Sequence, residues 1–74
     1  MRVTYDDAAD AAYIQLADEI GAGGVPQTRP CNPDEVGGMV NLDFDASGHL
    51  VGIEIMDACK LLPPELLAGA EGTW

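Results

Sequence analysis

The sequence is poor in positive charge and in aromatic rings. Its 74 residues contain three lysines and arginines against 13 aspartates and glutamates, which gives a net charge of -10, and only one tryptophan, two tyrosines and one phenylalanine. Three scattered cations cannot form a basic stripe along a phosphate backbone, and base stacking has few rings to use. The same charge is repelled by an anionic membrane surface. We therefore expect neither nucleic acid nor a membrane among the partners.

Cysteine and histidine are too few for a disulfide framework or a zinc site. Cys31 and Cys59 are not spaced as a C-x-x-C pair, and the single histidine, His49, is distant in sequence from both cysteines. The N-terminal stretch acquires three aspartates before any apolar run of useful length, so it resembles neither a secretory signal nor a membrane span. We expect a cytoplasmic protein with reduced thiols and no cofactor.

The length allows a single domain, residues 1–74, with a small core. Ordering such a chain costs on the order of 1.5 kcal/mol per residue, and apolar burial offsets this cost with little to spare. Small chains close the gap with disulfides, a metal or a partner. A second copy of the chain is the expected partner, so we predict a homo-oligomer, most simply a dimer. The excess of carboxylates also favours a basic protein partner.

Apolar and polar residues alternate in several segments, the pattern of strands that are buried on one face. The segments that predict strands are residues 2–5, 12–16, 39–45 and 49–56. Turn-forming residues join the first strand to the second and the third to the fourth, which predicts two hairpins. The last strand has apolar residues on both faces: Val51, Ile53 and Ile55 on one, and Leu50 and Met56 with Gly52 and Glu54 on the other. The second apolar set predicts a covering helix or a subunit contact.

The remaining segments are less regular. Residues 17–38 form an insertion rich in proline and glycine, where Pro26 and Pro30 restrict any strand to a sheet edge with its proline side facing solvent; a loop is the alternative. Near the C-terminus, Asp57 can cap one helical turn and Pro64 can start a second. Residues 68–74 predict a mobile tail. The fold class is α+β: a small antiparallel sheet of four or five strands in meander-like hairpins, with a short C-terminal helix.

One motif has the spacing of a calcium site. In DFDASGHLVGIE, five residues occupy positions 1, 3, 5, 6 and 12 of an EF-hand loop: Asp43, Asp45, Ser47, Gly48 and Glu54. An EF-hand needs a helix on each side, whereas these flanks alternate as strands do. The segment therefore predicts a hairpin in which Gly48 has a positive φ. A small-ligand or divalent-metal-binding protein that uses its acidic turns is the alternative function.

No set of side chains predicts catalysis. Asp6, Asp7 and Asp10 could approach Asp43 and Asp45, but these turn residues lack the apolar neighbours that raise the pKa of a catalytic acid. His49 follows a turn glycine and has no nucleophile that can be placed near it. Cys31 has carboxylates nearby in the sequence, which do not favour a reactive thiolate, and Cys59 is expected to be a small packed side chain. We assign no catalytic, cofactor-binding or metal-binding residue.

Two long segments, RVTYDDAADAAYIQL and VNLDFDASGHLVGIEIMDACKLL, resemble a family of small bacterial proteins known as domain of unknown function 2283. The resemblance implies a compact β-rich fold with a short C-terminal helix, and it implies no activity, cofactor or catalytic residue. Members are often encoded beside small proteins, some of them toxin-like, which points to an antitoxin-like role. The function predicted from the sequence is thus a small acidic, non-enzymatic interaction module that self-associates or neutralises a basic partner.

Overall fold

The computed structural model describes residues 1–21 and 23–72. These residues form a sheet of six strands, whose bounds are β1 Arg2–Asp6, β2 Ala11–Gln15, β3 Gln27–Pro30, β4 Val40–Phe44, β5 Leu50–Met56 and β6 Glu71–Gly72. Short helices accompany the sheet, namely α1 Pro33–Val36, α2 Ala58–Leu61 and α3 Pro64–Ala68. The strand order is β3-β4-β5-β2-β1-β6, so the hairpins β1–β2 and β4–β5 meet where β2 pairs with β5. The predicted α+β class is confirmed.

Both predicted hairpins are present, and aspartates organise their turns. Asp6 Oδ1 accepts hydrogen bonds from the amides of Ala8 and Ala9 in the β1–β2 turn, at 3.1 and 3.3 Å. In the β4–β5 turn, Asp45 Oδ1 accepts from the amides of Ser47 and His49, both at 2.9 Å. Gly48 adopts the expected positive φ, at 85°. Because each aspartate side chain accepts from amides only a few residues ahead, these turns can form from local interactions.

The sheet is larger than predicted, and it is mixed rather than purely antiparallel. The added strand β6 pairs parallel to β1, with Thr4 opposite Glu71 and Tyr5 opposite Gly72. An ion pair between Arg2 and Glu71 supports the same contact. Strand β6 lies inside the predicted mobile tail, whereas Trp74 lies outside the described residues. Two residues are too few to show the alternation of side chains that marks a strand in a sequence. Strand β6 is recognised only by its pairing with the free edge of β1.

The predicted insertion, residues 17–38, contains both β3 and α1. Strand β3 is the edge strand that the prolines allow: the Cys31 amide donates to the Val40 carbonyl at 2.8 Å, so Pro30, one residue earlier, faces away from β4. The outer edge therefore lacks the amide donor that Pro30 would have supplied. Helix α1, which the sequence analysis missed, begins at Pro33 and is capped by Asn32, whose side chain accepts from the Asp34 amide at 3.0 Å.

The C-terminal helices begin where the sequence predicts, but the first amides of α2 have an unexpected acceptor. Helix α3 begins at Pro64, as expected for proline in a first helical turn. Asp57 occupies the N-cap position of α2 as predicted, but its side chain makes no capping hydrogen bond, and its backbone is left-handed, with φ at 55°. The Ala58 amide instead donates to the carbonyl of Asp10, at 3.1 Å. The acceptors for the first amides of α2 thus come from a distant turn.

Strand pairing divides the side chains between two faces, because residues directly opposite each other share a face. The apolar face comprises Val3, Tyr5, Ala12, Ile14, Val40, Leu42, Ile53 and Ile55. The polar face comprises Tyr13, Thr28, Asn41, Asp43, Gly52 and Glu54. Helices α2 and α3 pack on the apolar face. Even so, the buried apolar residues in the described part of the chain are limited to Ala12, Val51, Ile55 and Ala58.

Gly52 lies directly beneath the ring of Tyr13 on the polar face. A Cβ added at Gly52 would overlap the Tyr13 hydroxyl and ring, whereas one added at Gly21 would meet no atom within 4 Å. The absence of a side chain at Gly52 therefore makes room for the tyrosine of the neighbouring strand.

We expect Gly52→Val to lower the free energy of unfolding by about 1–3 kcal/mol, because the new side chain displaces the Tyr13 ring. Urea denaturation followed by circular dichroism measures this change. The matched control Gly21→Val should stay within about 0.5 kcal/mol of the wild type. Equal stability of the two variants would show that the ring does not occupy this position.

Candidate functional site

A chain of side-chain hydrogen bonds crosses the polar face of the sheet. The Thr28 hydroxyl on β3 donates to Asp43 Oδ1 at 2.7 Å, and the Tyr13 hydroxyl on β2 donates to Asp43 Oδ2 at 2.8 Å. Burial, with a further contribution from the hydrogen bond to Asp43, raises the pKa of Tyr13 to about 12. Tyr13 is therefore a neutral donor at ordinary pH, and both oxygens of Asp43 are occupied. The arrangement links three strands through one carboxylate.

The residues of the EF-hand-like motif lie on a hairpin and have separate partners. Asp43 accepts the two hydroxyl bonds just described, Asp45 caps its own turn, and Glu54 accepts from the side-chain amide of Asn41 at 3.0 Å. The flanking segments are strands β4 and β5, as the alternation predicts. Within residues 1–21 and 23–72, no three His, Cys, Asp or Glu side chains are placed to hold a metal ion.

We expect titration with calcium chloride to give no saturable heat of binding at micromolar concentrations. Recruiting Asp43 to an ion would leave the hydroxyls of Tyr13 and Thr28 without their acceptor. Isothermal titration calorimetry measures this, with magnesium chloride at the same ionic strength as the control for screening of the acidic surface. A micromolar site that Asp45→Asn abolishes would contradict the expectation.

A second hydrogen-bonded group, here called the Asp10 cluster, comprises Tyr5, Asp10, Ala58 and Cys59. It joins the β1–β2 turn to helix α2. Asp10 Oδ1 accepts from the Tyr5 hydroxyl at 2.8 Å and from the Cys59 amide at 3.0 Å, while the Tyr5 oxygen lies 3.1 Å from Cys59 Sγ. The Cys59 amide, followed by the Tyr5 hydroxyl, holds the pKa of Asp10 below its ordinary value. Hydrogen bonds to Cys59 and then to Asp10 raise the pKa of Tyr5.

The structure brings the side chains considered for catalysis together in separate pairs, Cys59 with Asp10 and His49 with Asp45, at different turns. Asp6 organises its own turn, and Asp10 faces α2. His49 pairs with Asp45, its Nδ1 lying 3.4 Å from the carboxylate in a side chain that is 78% exposed. Cys31 and Cys59 are both free thiols. The contacts of Thr28 and Asn41 were missed by the sequence analysis, because they depend on strand register across β3, β4 and β5.

An apolar groove opens between the sheet and helices α1 and α2. Its volume is about 310 Å³, and its lining is aliphatic: Ile14, Val36, Val40, Ile53, Ile55, Leu61 and Leu62. Ile55 forms part of the buried core, and Val36 at the rim is 40% exposed. The other lining side chains are half-buried. The groove is thus the part of the apolar face that the short helices do not cover.

A family model described as "Protein of unknown function (DUF2283)" matches residues 2–58. The chain belongs to the DUF2283 family. The resemblance seen in the sequence is thereby confirmed, and the match extends from β1 to the first residue of α2. No curated protein and no solved structure matches the chain. Residues 1–21 and 23–72 contain no helix whose length and hydropathy suit a membrane crossing.

The segments that carry the DUF2283 resemblance contribute to folding contacts in this structure. Tyr5 and Asp10 hold α2, Asp43 and Gly52 accommodate Tyr13 on the polar face, and Asp45 organises the β4–β5 turn. These motifs therefore have a structural explanation at each of these positions. The groove is built partly from the matched region and partly from Leu61 and Leu62, which follow it.

Acid should weaken the fold through Asp10 and Asp45. Backbone amide donors, from Cys59 and His49 respectively, place the folded-state pKa of each below the ordinary 3.8. Each carboxylate therefore stabilises the fold at pH values above the unfolded pKa, and this stabilisation is lost as pH falls through the folded pKa.

We expect the free energy of unfolding to decline between roughly pH 5 and pH 2, and to decline less steeply when Asp10 and Asp45 are both replaced by asparagine. Urea denaturation across this pH range gives the two slopes. Asp7→Asn, in the same turn as Asp10, is the matched charge control and should keep the wild-type slope. An unchanged slope in the double variant would contradict the assignment.

Proposed function

We propose that the protein is a small acidic, non-enzymatic interaction module that self-associates as a dimer through the groove on its apolar face. The half-buried aliphatic lining of that groove is the observation that carries the proposal. Burying such side chains contributes about 25 cal/mol for each Å² removed from water. Association through the groove therefore stabilises a chain whose own core is small.

The composition of the core supports the need for a partner. Two of the buried apolar residues in the described part of the chain, Ala12 and Ala58, are alanines, and the others are Val51 and Ile55. A core of this size offsets little of the conformational entropy that folding removes. A partner that supplies the missing burial has to be present whenever the chain is folded, and a second copy meets that condition.

The edges of the sheet favour contact through a face rather than pairing of strands. At one edge, the proline side of β3 points to solvent and cannot complete a regular ladder. At the other edge, β6 covers the centre of β1 at Thr4 and Tyr5. Continuous extension of the sheet into a second copy is disfavoured at both edges. The groove, with its aliphatic lining, is the surface that we propose for the contact.

In a two-fold symmetric contact, a cation on the apolar face of one copy could approach carboxylates of the other copy. Arg29 lies opposite Leu42, and therefore on the apolar face, while the exposed Asp34 and Glu35 immediately precede groove residue Val36. In a symmetric contact, the surface of one copy meets the same surface of the other. A cation and carboxylates on one face then limit the repulsion between two acidic chains.

The titratable groups support a role without catalysis. Donors stabilise the ionised forms of Asp10 and Asp45, and Tyr13 is held neutral. A general acid or base requires the opposite tuning, with a pKa near the working pH. These groups are suited to holding turns and strands in place.

A basic protein is the second proposed partner, as in the antitoxin-like role that the family resemblance suggests. Its support is the net charge of -10. Each of the three cations is also bonded within the chain: Arg2 to Glu71, Arg29 to the side chain of Gln27, and Lys60 to the carbonyl of Gly37. The remaining acidic surface would steer a basic partner and orient it.

We expect Val36→Glu to raise the dimer dissociation constant by about tenfold or more, because it places a charge at the rim of an apolar contact. Sedimentation velocity over a wide range of protein concentrations measures the constant. Leu50→Glu is the matched control, since Leu50 is 37% exposed, close to the 40% of Val36, and lies outside the groove lining.

The control variant should dimerise as the wild type does. A wild-type protein that stays monomeric at every concentration would falsify the proposal of self-association. Equal weakening by the two substitutions would instead show that the copies meet through another surface.

A further inference from the structure

We infer that Asp10 and Tyr5 are positioning residues for the groove: they hold helix α2 where its leucine forms a groove wall, and so control self-association. This inference rests on the proposed function, because the groove is the surface it concerns. It assigns to the β1–β2 turn a role in binding, although that turn does not line the groove.

Helix α2 depends on contacts from outside itself. It has four residues, which is far too short for a stable helix by its own hydrogen bonds. The first amides of a helix lack partners within it. Here the Ala58 amide donates to the Asp10 carbonyl at 3.1 Å, and the Cys59 amide donates to Asp10 Oδ1 at 3.0 Å. Asp10 therefore satisfies two amides that the neighbouring Asp57 side chain leaves open.

The backbone on both sides of this contact is in an uncommon conformation. Asp10 has φ at 51° and Asp57 has φ at 55°, and in the described part of the chain they are the two non-glycine residues with positive φ. Aspartate tolerates the left-handed region better than most residues, although it is still disfavoured there. The Tyr5 hydroxyl, 2.8 Å from Asp10 Oδ1, helps to hold the carboxylate toward α2.

The position of α2 determines both walls of the groove. At its start, Ala58 is fully buried with Ala12 and Ile55, so the helix is seated on the core. At its end, Leu61 lines the groove, and Leu62 follows directly.

The second wall is joined to the first through a lysine. Lys60 Nζ donates to the carbonyl of Gly37 at 2.8 Å, directly after helix α1, which supplies Val36. Displacement of α2 would therefore move Leu61 and break the hydrogen bond from Lys60 to the end of α1. Because Asp10 holds α2 in place, it influences the groove residues of both helices.

The test compares dimer dissociation constants with amide hydrogen exchange at Ala58 and Cys59. We expect Asp10→Ala to raise the dissociation constant by about tenfold or more and to accelerate exchange at both amides. Asp10→Asn keeps an oxygen acceptor and tolerates positive φ, so it should remain close to the wild type. Tyr5→Phe removes only the hydroxyl donor and should have an intermediate effect. If Asp10→Ala does not fold, the dissociation constant and amide exchange of Tyr5→Phe test the inference in its place.

The matched control is Thr28→Val, which removes one side-chain hydrogen bond to an aspartate on the polar face, remote from α2. It should leave the dissociation constant within about twofold of the wild-type value even where it lowers stability. Faster exchange in Asp10→Ala with unchanged dimerisation would overturn this inference and leave the proposed function intact. A wild-type protein that is monomeric would overturn both this inference and the proposed function. The wild-type measurement alone shows this, so the two failures can be told apart.

Discussion

The pairing of β2 with β5 is the contact on which the rest of the structure depends. Each hairpin forms locally, but an isolated hairpin is marginally stable in water. Their pairing places Ala12 against Ile55 and Ile14 against Ile53 on one face, and brings Tyr13 beside Gly52 on the other. The first set forms the floor of the core and of the groove. The second allows the tyrosine hydroxyl to reach Asp43 on β4, so one strand pair generates both surfaces.

Much of the fold could be predicted because its information is local. Period-two alternation indicated the strands β1, β2, β4 and β5, and the aspartate-rich turns indicated both hairpins. Other features depend on residues far apart in the chain. Strand β6 is defined by the edge it joins, and the first amides of α2 are accepted by Asp10 rather than by the side chain of the adjacent Asp57. No spacing rule within one segment contains that information.

For the groove and the polar face as well, the sequence indicated some features, whereas others depend on contacts between strands. The two apolar sets on β5 indicated an additional contact, but the sequence alone did not show which face would remain open. Gly52 is covered by Tyr13 from the neighbouring strand, and the open surface is the face that includes Ile53. The calcium-like spacing of Asp43, Asp45 and Glu54 has the same origin: alternation on a hairpin sends carboxylates outward, and each then finds its own donors.

The contacts that Asp10 provides also make helix α2 dependent on the β1–β2 turn. The β1–β2 turn can form from local bonds, but its Asp10 receives the amides of Ala58 and Cys59 only when α2 is in place. Helix α2 is too short to form on its own. Its formation therefore reports that the β1–β2 turn and residues 58–59, which are far apart in the sequence, have come together.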